Sequence, residues 1–466
     1  MLGMGNMRQW LMNISLVGGW FPAAAFAVVA VLSVTLLVSA AVSKRDGRIL
    51  ATVLPIGVAA VSGMVGYVVA WLLSDVFVVF DVGLGSRVMS WVAAGFAIAG
   101  FAIVHIVLSR GMMRVAAAIL TVFAILAAAI GIDQSYGEYA TIGSLFGEDS
   151  YSQADLTGLA KRKDLITVAQ WRKQAANGTI RNIPANGTVN KIDIPATKSQ
   201  FEARKALVYL PPAALADSKR KPALPVVLML SGQPGSPGRV FQAGGIQTMM
   251  DGYAKTHDGL APIVIAADQL GTDSHNTLCV DSKVYGNALT YLTQDVVDWV
   301  KTNLPAAQDA KDWAIAGFSQ GATCSLQIGV NHPDLFGTMI PTDSEIKPTN
   351  GSRQEMIDRF FDGDTTAYEN QVPVNAIRNH APTHQMLIIG AGEKDTTSIR
   401  NVKTIAPVAA KAGMRVAAVE SSGNAHDWHA VQDVLRYGLA VFGHDTGLDG
   451  ANPNLSDYPN LKRITI

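Results

Sequence analysis

Hydrophobic positions are spread unevenly along this 466-residue chain and crowd into its first 130 positions. Four runs there, approximately Phe21–Val42, Ile49–Leu73, Val88–Ser109 and Val115–Ile132, are nearly free of charge. Each has the roughly 20-residue length a helix needs to cross a bilayer. A cleaved leader is the competing reading of the first run, but no basic stretch stands close before it and three more runs follow. Beyond Asp133 the pattern turns polar and mixed as far as Pro184, with a short helix expected around Leu165–Ala176. Apolar or β-branched runs then recur at Ala206–Leu210, Pro225–Leu230, Pro262–Ala267, Trp313–Ala316, Thr338–Pro341, Met386–Ile389 and Val416–Val419. Helical patterns fall between them near Val240–Lys255, Thr290–Asn303, Ser319–Asn331, Ile399–Ala412 and Asp427–Phe442. Strands alternating with helices predict an α/β fold with a mainly parallel sheet. The expected organisation is a four-span transmembrane region (1–132), a stem (133–185), an α/β domain (186–443) and a tail (444–466) rich in Gly, Asn, Asp and Pro that lies on the surface or is loose.

Charge adds an orientation. The first inter-helix loop carries Lys44, Arg45 and Arg48 and the third carries Arg110 and Arg114, while the loop between them holds Asp75, Asp81 and Arg87. The positive-inside rule puts loops one and three in the cytoplasm and both termini, with the α/β domain, on the extracytoplasmic side. Trp20, Trp71 and Trp91 fall at the predicted outer ends, where amphipathic rings favour the headgroup level. Within the runs the one ionisable residue singled out is His105, near the inner end of the third. A packed histidine explains it better than a transport path, which would need intramembrane charges. Ala59 and Gly63 suit close helix packing, although Ala/Gly-rich membrane sequence is the plainer reading. Lys+Arg and Asp+Glu balance at 37 each, so no basic surplus points to nucleic acid. Two cysteines, Cys279 and Cys324, are too few for a disulfide scaffold or a zinc cluster. With their domain in an oxidising compartment they are expected to bridge, the alternative being two buried thiols.

The chemistry centres on Trp313-Ala-Ile-Ala-Gly-Phe-Ser319-Gln-Gly321, a strand entering Gly-x-Ser-x-Gly and leaving as a helix. Such an elbow is too sharp for side chains two residues either side of the serine, and it lifts the hydroxyl to a helix N-terminus. A serine needs a base, and the base an orienting carboxylate. Two later strand ends offer them: Gly390-Ala-Gly-Glu-Lys-Asp395, and Glu420-Ser-Ser-Gly-Asn-Ala-His426-Asp-Trp-His429. Asp395 is the expected acid, with Glu393 its close competitor, and His426 the expected base, with His429 a surface or packing residue. A metal reading of His426/His429 or of His380/His384 lacks a third ligand, so neither metal nor cofactor is expected. Two backbone donors would receive the oxyanion, from Gln320 and from Gln233 in the loop Ser231-Gly-Gln233-Pro-Gly-Ser-Pro-Gly238.

On Leu230-Ser-Gly-Gln233, Gly317-Phe-Ser319-Gln-Gly321, Gly-Glu-Lys-Asp395 and Gly423-Asn-Ala-His426-Asp-Trp428, residues 200 to 443 resemble the putative-esterase branch of the α/β hydrolases. That branch includes esterase D-like enzymes and the mycolyltransferases of actinobacterial envelopes, in which a histidine followed two residues later by Trp recurs. Cys279-Val-Asp-Ser282 and Cys324 resemble a multi-span actinobacterial subgroup. The mycolyltransferases differ in carrying Glu as the acid, Asp where Ser231 stands, and no four-helix anchor. The resemblance therefore implies the fold and a serine triad without naming the acyl group. The function expected is a membrane-anchored serine esterase or acyltransferase. Its partners would be an acyl-ester donor, lipid-linked or not, a glycan or lipid hydroxyl acceptor or water, and membrane lipids. Against it stand a plain carboxylesterase and an inactive assembly subunit keeping the fold.

Overall fold

The computed structural model describes the chain except residues 1, 43–47, 78–83, 150, 161–163, 181 and 219, and the side chains of 2–6 and 48–51. Lys44, Arg45, Asp81 and the Arg48 side chain, part of the orientation argument, thus lie outside the described residues. Two compact units result, Met1–Glu148 and Asp149–Ile466.

In the first unit four helices, Trp20–Val42, Thr52–Val76, Gly85–Leu108 and Met112–Tyr136, are long and apolar enough to cross a membrane. Their outer surfaces expose Val31, Val61, Met64, Val107, Val122 and Ile125, an apolar girdle that suits lipid rather than water. Leu36, Phe101, Ala102, Ala117 and Leu120 form the interior. Small residues prove to be more than composition: a Cβ on Gly63 would stand 3.1 Å from Ala97 Cβ, and one on Gly100 would stand 2.4 Å from Ser62 Oγ. Close approach of the second and third of these helices is therefore built on glycine, which corrects the plainer reading. His105 is buried against the Phe101 ring, 4.6 Å between centroids, a packed histidine as expected. Trp91 covers Gly131 and stacks on Phe26, so packing within the unit holds it. A helix that the pattern did not announce, Leu2–Met12, precedes these four.

The second unit is built on a ten-stranded sheet. Its strands are β1 (Ser152–Gln153), β2 (Thr188–Ile192), β3 (Ala206–Leu210), β4 (Val226–Leu230), β5 (Ile263–Ala266), β6 (Trp313–Phe318), β7 (Thr338–Thr342), β8 (Met386–Gly392), β9 (Arg415–Ser421) and β10 (Leu461–Arg463). They lie in the order β1-β2-β3-β5-β4-β6-β7-β8-β9-β10. The run β5-β4-β6-β7-β8-β9 is parallel throughout, while β3 joins antiparallel between β2 and β5 and β10 antiparallel to β9. Every residue of β3 to β8 is buried, the mark of a sheet covered on both faces. The alternation of the pleat sorts side chains to two cores. Leu228, Leu230, Trp313 and Ile315 meet the helices Val296–Asn303, Gln320–Asn331 and Thr396–Lys411 on one face. Val227, Met229, Ala314 and Ala316 meet Pro237–Ala243, Ile246–Lys255 and Trp428–Asp445 on the other.

Some expectations shift. Within the segment 133–185, read as a stem, the described residues from Asp149 onward belong to the second unit: β1 pairs with β2, and Trp171 of the helix Val168–Ala176 is fully buried. The tail is not loose, because β10 pairs with β9. The expected helix Val240–Lys255 breaks at Gly244-Gly245, where Gly245 takes φ +60° as the cap of the second piece, a conformation glycine adopts without strain. Between β7 and β8 lie three unforeseen helices, Arg353–Phe360, Thr365–Glu369 and Pro373–Asn379. The first is announced by a legible capping box, Ser352 with Glu355.

Candidate active site

The parallel strands β6, β8 and β9 all end at one edge of the sheet, and their following loops converge there. Chain leaving β6 turns at Ser319, whose φ of +54° and ψ of −117° lie outside the regions a non-glycine residue prefers. Such a conformation persists only where the surroundings impose it. The Ser319 N–H donates to Thr342 O on β7 at 3.0 Å. A Cβ on Gly317 would stand 2.2 Å from Gly321 O, and one on Gly321 would stand 2.3 Å from Ser231 O. Both flanking glycines are therefore required by backbone that cannot yield.

Ser319 Oγ lies 2.8 Å from His426 Nε2, and His426 Nδ1 lies 2.7 Å from Asp395 Oδ2. A carboxylate only accepts, so Nδ1 carries the proton and Nε2 is left to accept from the serine hydroxyl. Asp395 caps the helix Thr396–Lys411, with Oδ1 accepting from the N–H groups of Thr397 and Ser398 at 3.2 and 3.0 Å. Burial pushes its carboxyl up, and the bonds from His426 and Ser398 outweigh that and leave it below the ordinary value. Burial likewise pushes the His426 imidazole down, but the Asp395 carboxylate and its acidic neighbours leave it raised above the ordinary histidine. The ring of Phe318 lies 5.0 Å from both His426 and Trp428.

Glu393, the competing acid, is turned away: it accepts from Gly423 N and from Lys462 Nζ, each at 2.7 Å. His429 lies on the first turn of the helix Trp428–Asp445, which Asp427 caps. His380 Nε2 meets Asn331 Oδ1 at 3.1 Å, and neither it nor His384 joins the cluster. The grouping of metal-type donors found among the described residues is instead Asp343, Asp395 and His426, within 4.8 Å of one another.

Of the two residues expected to donate to an oxyanion, Gln320 directly follows the serine and Gln233 lies one residue beyond Gly232. Gln320 opens the helix Gln320–Asn331, so its N–H has no acceptor one turn back. On the other side, a Cβ on Gly232 would stand 3.5 Å from Ser319 Cβ, which brings the loop around Gly232 against Ser319. Side chains brace this pair. Buried Gln269 donates to Ser231 O at 2.6 Å and to Gln320 Oε1 at 3.1 Å. Arg204, itself held by Asp268, donates to Gly235 O at 2.9 Å. Gln320 Nε2 donates to Asn276 Oδ1 at 3.2 Å. Cys279 and Cys324 form a disulfide, tying the Asn276 loop to the helix that begins at Gln320. Sequence reasoning missed Gln269, Arg204 and Asp343. Gln269 and Asp343 each follow a parallel strand at the site edge, a position that was the available signal.

The family described as "Putative esterase" matches residues 198–438. An uncharacterised protein of Corynebacterium glutamicum is 32% identical over 333 residues, spanning 70% of this chain and 74% of that one. Among solved structures the chain is similar to an S-formylglutathione hydrolase from Agrobacterium tumefaciens, at TM-score 0.46 and 16% identity over 57% of this chain and 98% of the other. It is also similar to MPT51 of Mycobacterium tuberculosis, at TM-score 0.40 and 14% identity over 55% of this chain and 98% of the other.

Proposed function

The chain belongs to the putative-esterase family of α/β hydrolases, and from that premise we propose a membrane-anchored, extracytoplasmic serine esterase or acyltransferase that works through an acyl-enzyme on Ser319. The observation that carries this reading is the unbroken hydrogen-bonded line from Ser319 Oγ through His426 to Asp395. In the first half-reaction Ser319 Oγ attacks an ester carbonyl while His426 Nε2 takes its proton, and Asp395 steadies the imidazolium. Negative charge gathers on the carbonyl oxygen, where the N–H groups of Gln320 and Gln233 receive it. Collapse of this intermediate expels the alcohol, which leaves with the proton from His426. In the second half an acceptor hydroxyl gives its proton to His426 and attacks the acyl carbon. The acyl group leaves on the acceptor, and Ser319 regains its proton.

The preferred acceptor in this reading is a glycan or lipid hydroxyl of the cell envelope. Four helices able to span a bilayer would confine the enzyme to the membrane, where lipid-linked acyl donors reside. Water is the competing acceptor, and an alcohol wins only where the site positions it better. Sidedness rests on Arg110, Arg114 and the basic first loop, together with a cysteine pair that is bridged, as suits an oxidising compartment. The test is to give the full chain in detergent an activated acyl donor, with and without trehalose or arabinan fragments, and to follow products by mass spectrometry. Acylated sugar supports transfer. Free acid as the sole product, with Ser319 acylated, replaces transfer by hydrolysis. Failure of Ser319 to acylate at all returns the inactive-subunit reading.

A further inference from the structure

A carboxyl group that the proposed reaction leaves unused stands beside its base. Asp343 directly follows β7, the strand lying between the one that carries Ser319 and the one that leads to Asp395. Its N–H donates to Gly390 O at 2.9 Å, and its Oδ1 accepts from Gly392 N–H at 2.8 Å, both on β8. It is fully buried, at 0% exposure. One of its oxygens lies within 4.8 Å of an Asp395 carboxylate oxygen and of a His426 ring nitrogen. Oδ2 has no hydrogen-bond partner among the described residues.

A structural role alone explains this residue poorly. The backbone there has φ +55°, which Asn tolerates as well as Asp, and an Asn oxygen would accept the Gly392 N–H without the cost of burying an ionisable acid. We propose that Asp343 is a second acid of this site, a positioning residue whose carboxyl can hold His426 in its working orientation when Asp395 cannot. This rests on the reading of Ser319, His426 and Asp395 as the acyl-transfer machinery.

The division of labour between the two acids follows from their surroundings. Asp395 accepts from two backbone N–H groups and the imidazole, so it keeps the negative charge. Asp343 accepts a single N–H and faces His426, Asp395 and Asp427, and its burial pushes the carboxyl well above the ordinary value. Two carboxylates this close do not both ionise readily, so Asp343 holds its proton while Asp395 is charged. Replacing Asp395 by a neutral side chain removes that competition and leaves Asp343 as the acid that can ionise against His426.

The experiment uses the full chain in detergent and compares kcat/KM across pH 6 to 9.5 for wild type, Asp395→Asn and Asp395→Asn/Asp343→Asn. Asp395→Asn should fall by about 10³–10⁴-fold at neutral pH. Relative to wild type, it should then recover as pH rises, by up to about tenfold per unit while Asp343 ionises. The imidazole cannot produce this rise, because losing Asp395 moves its own titration to lower pH. The double variant should lack the recovery. A flat ratio for Asp395→Asn overturns the proposal without any change at Asp343, so it decides even if the double variant fails to fold. Recovery that persists in a folded double variant also overturns it. Absence of turnover and of Ser319 labelling in the wild type sinks the underlying reading and this proposal with it.

Discussion

Removing the Cys279–Cys324 bridge by the double substitution Cys279→Ala/Cys324→Ala tests how far the site depends on a covalent clamp. The cysteines are 45 residues apart in sequence. Chain-entropy reasoning for a loop of that length gives about 4 kcal/mol of stabilisation at 25 °C, an upper figure because the reduced chain retains some structure. Spread over the unfolding entropy of a unit running from Asp149 to Ile466, this corresponds to a fall in Tm of roughly 6 °C. Activity should suffer beyond the stability loss. The bridge holds the loop whose Asn276 receives Gln320 Nε2, and Gln320 is one of the two expected oxyanion donors. Thermal unfolding of the full chain in detergent can be followed by tryptophan fluorescence, because Trp171, Trp313 and Trp428 are fully buried in this unit. Wild type under reducing conditions should move towards the double variant. A Tm shift below about 1 °C, with both thiols shown to be free, would refute the clamp.

Three further outcomes follow from the same geometry. Ser319→Ala and His426→Ala should each lower kcat by about 10⁴–10⁶-fold, and Asp395→Asn should be severely impaired while Glu393→Gln stays near wild type. A reversal of the last two would reassign the acid. Gly321→Ala should cost about 1–3 kcal/mol and at least about tenfold in turnover, since its Cβ would meet Ser231 O at 2.3 Å; a fully active, equally stable variant would contradict the elbow. In the pH profile of kcat/KM, activity needs neutral His426, whose pKa is raised above 6.5 by its acidic neighbours. Activity should therefore be lost as pH falls through a value above 6.5, and an acid limb centred below 6 would contradict the hydrogen-bonded pair.

Much of this was legible because it rests on short-range rules. Four helices long and apolar enough to cross a membrane announce themselves by length and lack of charge, and the strands β3 to β8 by continuous apolar runs that only a doubly covered sheet requires. Ser319, Asp395 and His426 could be placed because a parallel sheet sends the C-terminal ends of its strands to one edge, so that three separate loops must meet. The choice of Asp395 over Glu393 was not decidable from spacing. It turns on Lys462, a residue of β10 that pairs with Glu393, and nothing local predicts that the tail returns to the sheet. Asp343 was hidden for a similar reason. Its chain neighbours are unremarkable, and its place comes from sheet order, which sets β7 between the strands that lead to Ser319 and to Asp395. In the segment 133–185, read as a stem, the mixed polar pattern concealed Leu156, Ile166 and Trp171, which are buried in the core of the second unit.

The central claim, that Ser319 is a nucleophile activated by His426, is most directly tested by a fluorophosphonate probe. Full-length protein in detergent would be labelled, digested and mapped by mass spectrometry, beside folded Ser319→Ala and His426→Ala variants. The predicted result is one adduct on the peptide containing Ser319, absent from Ser319→Ala and formed far more slowly in His426→Ala. No adduct on folded wild-type protein, an adduct on another residue, or labelling at an unchanged rate in His426→Ala would contradict the account.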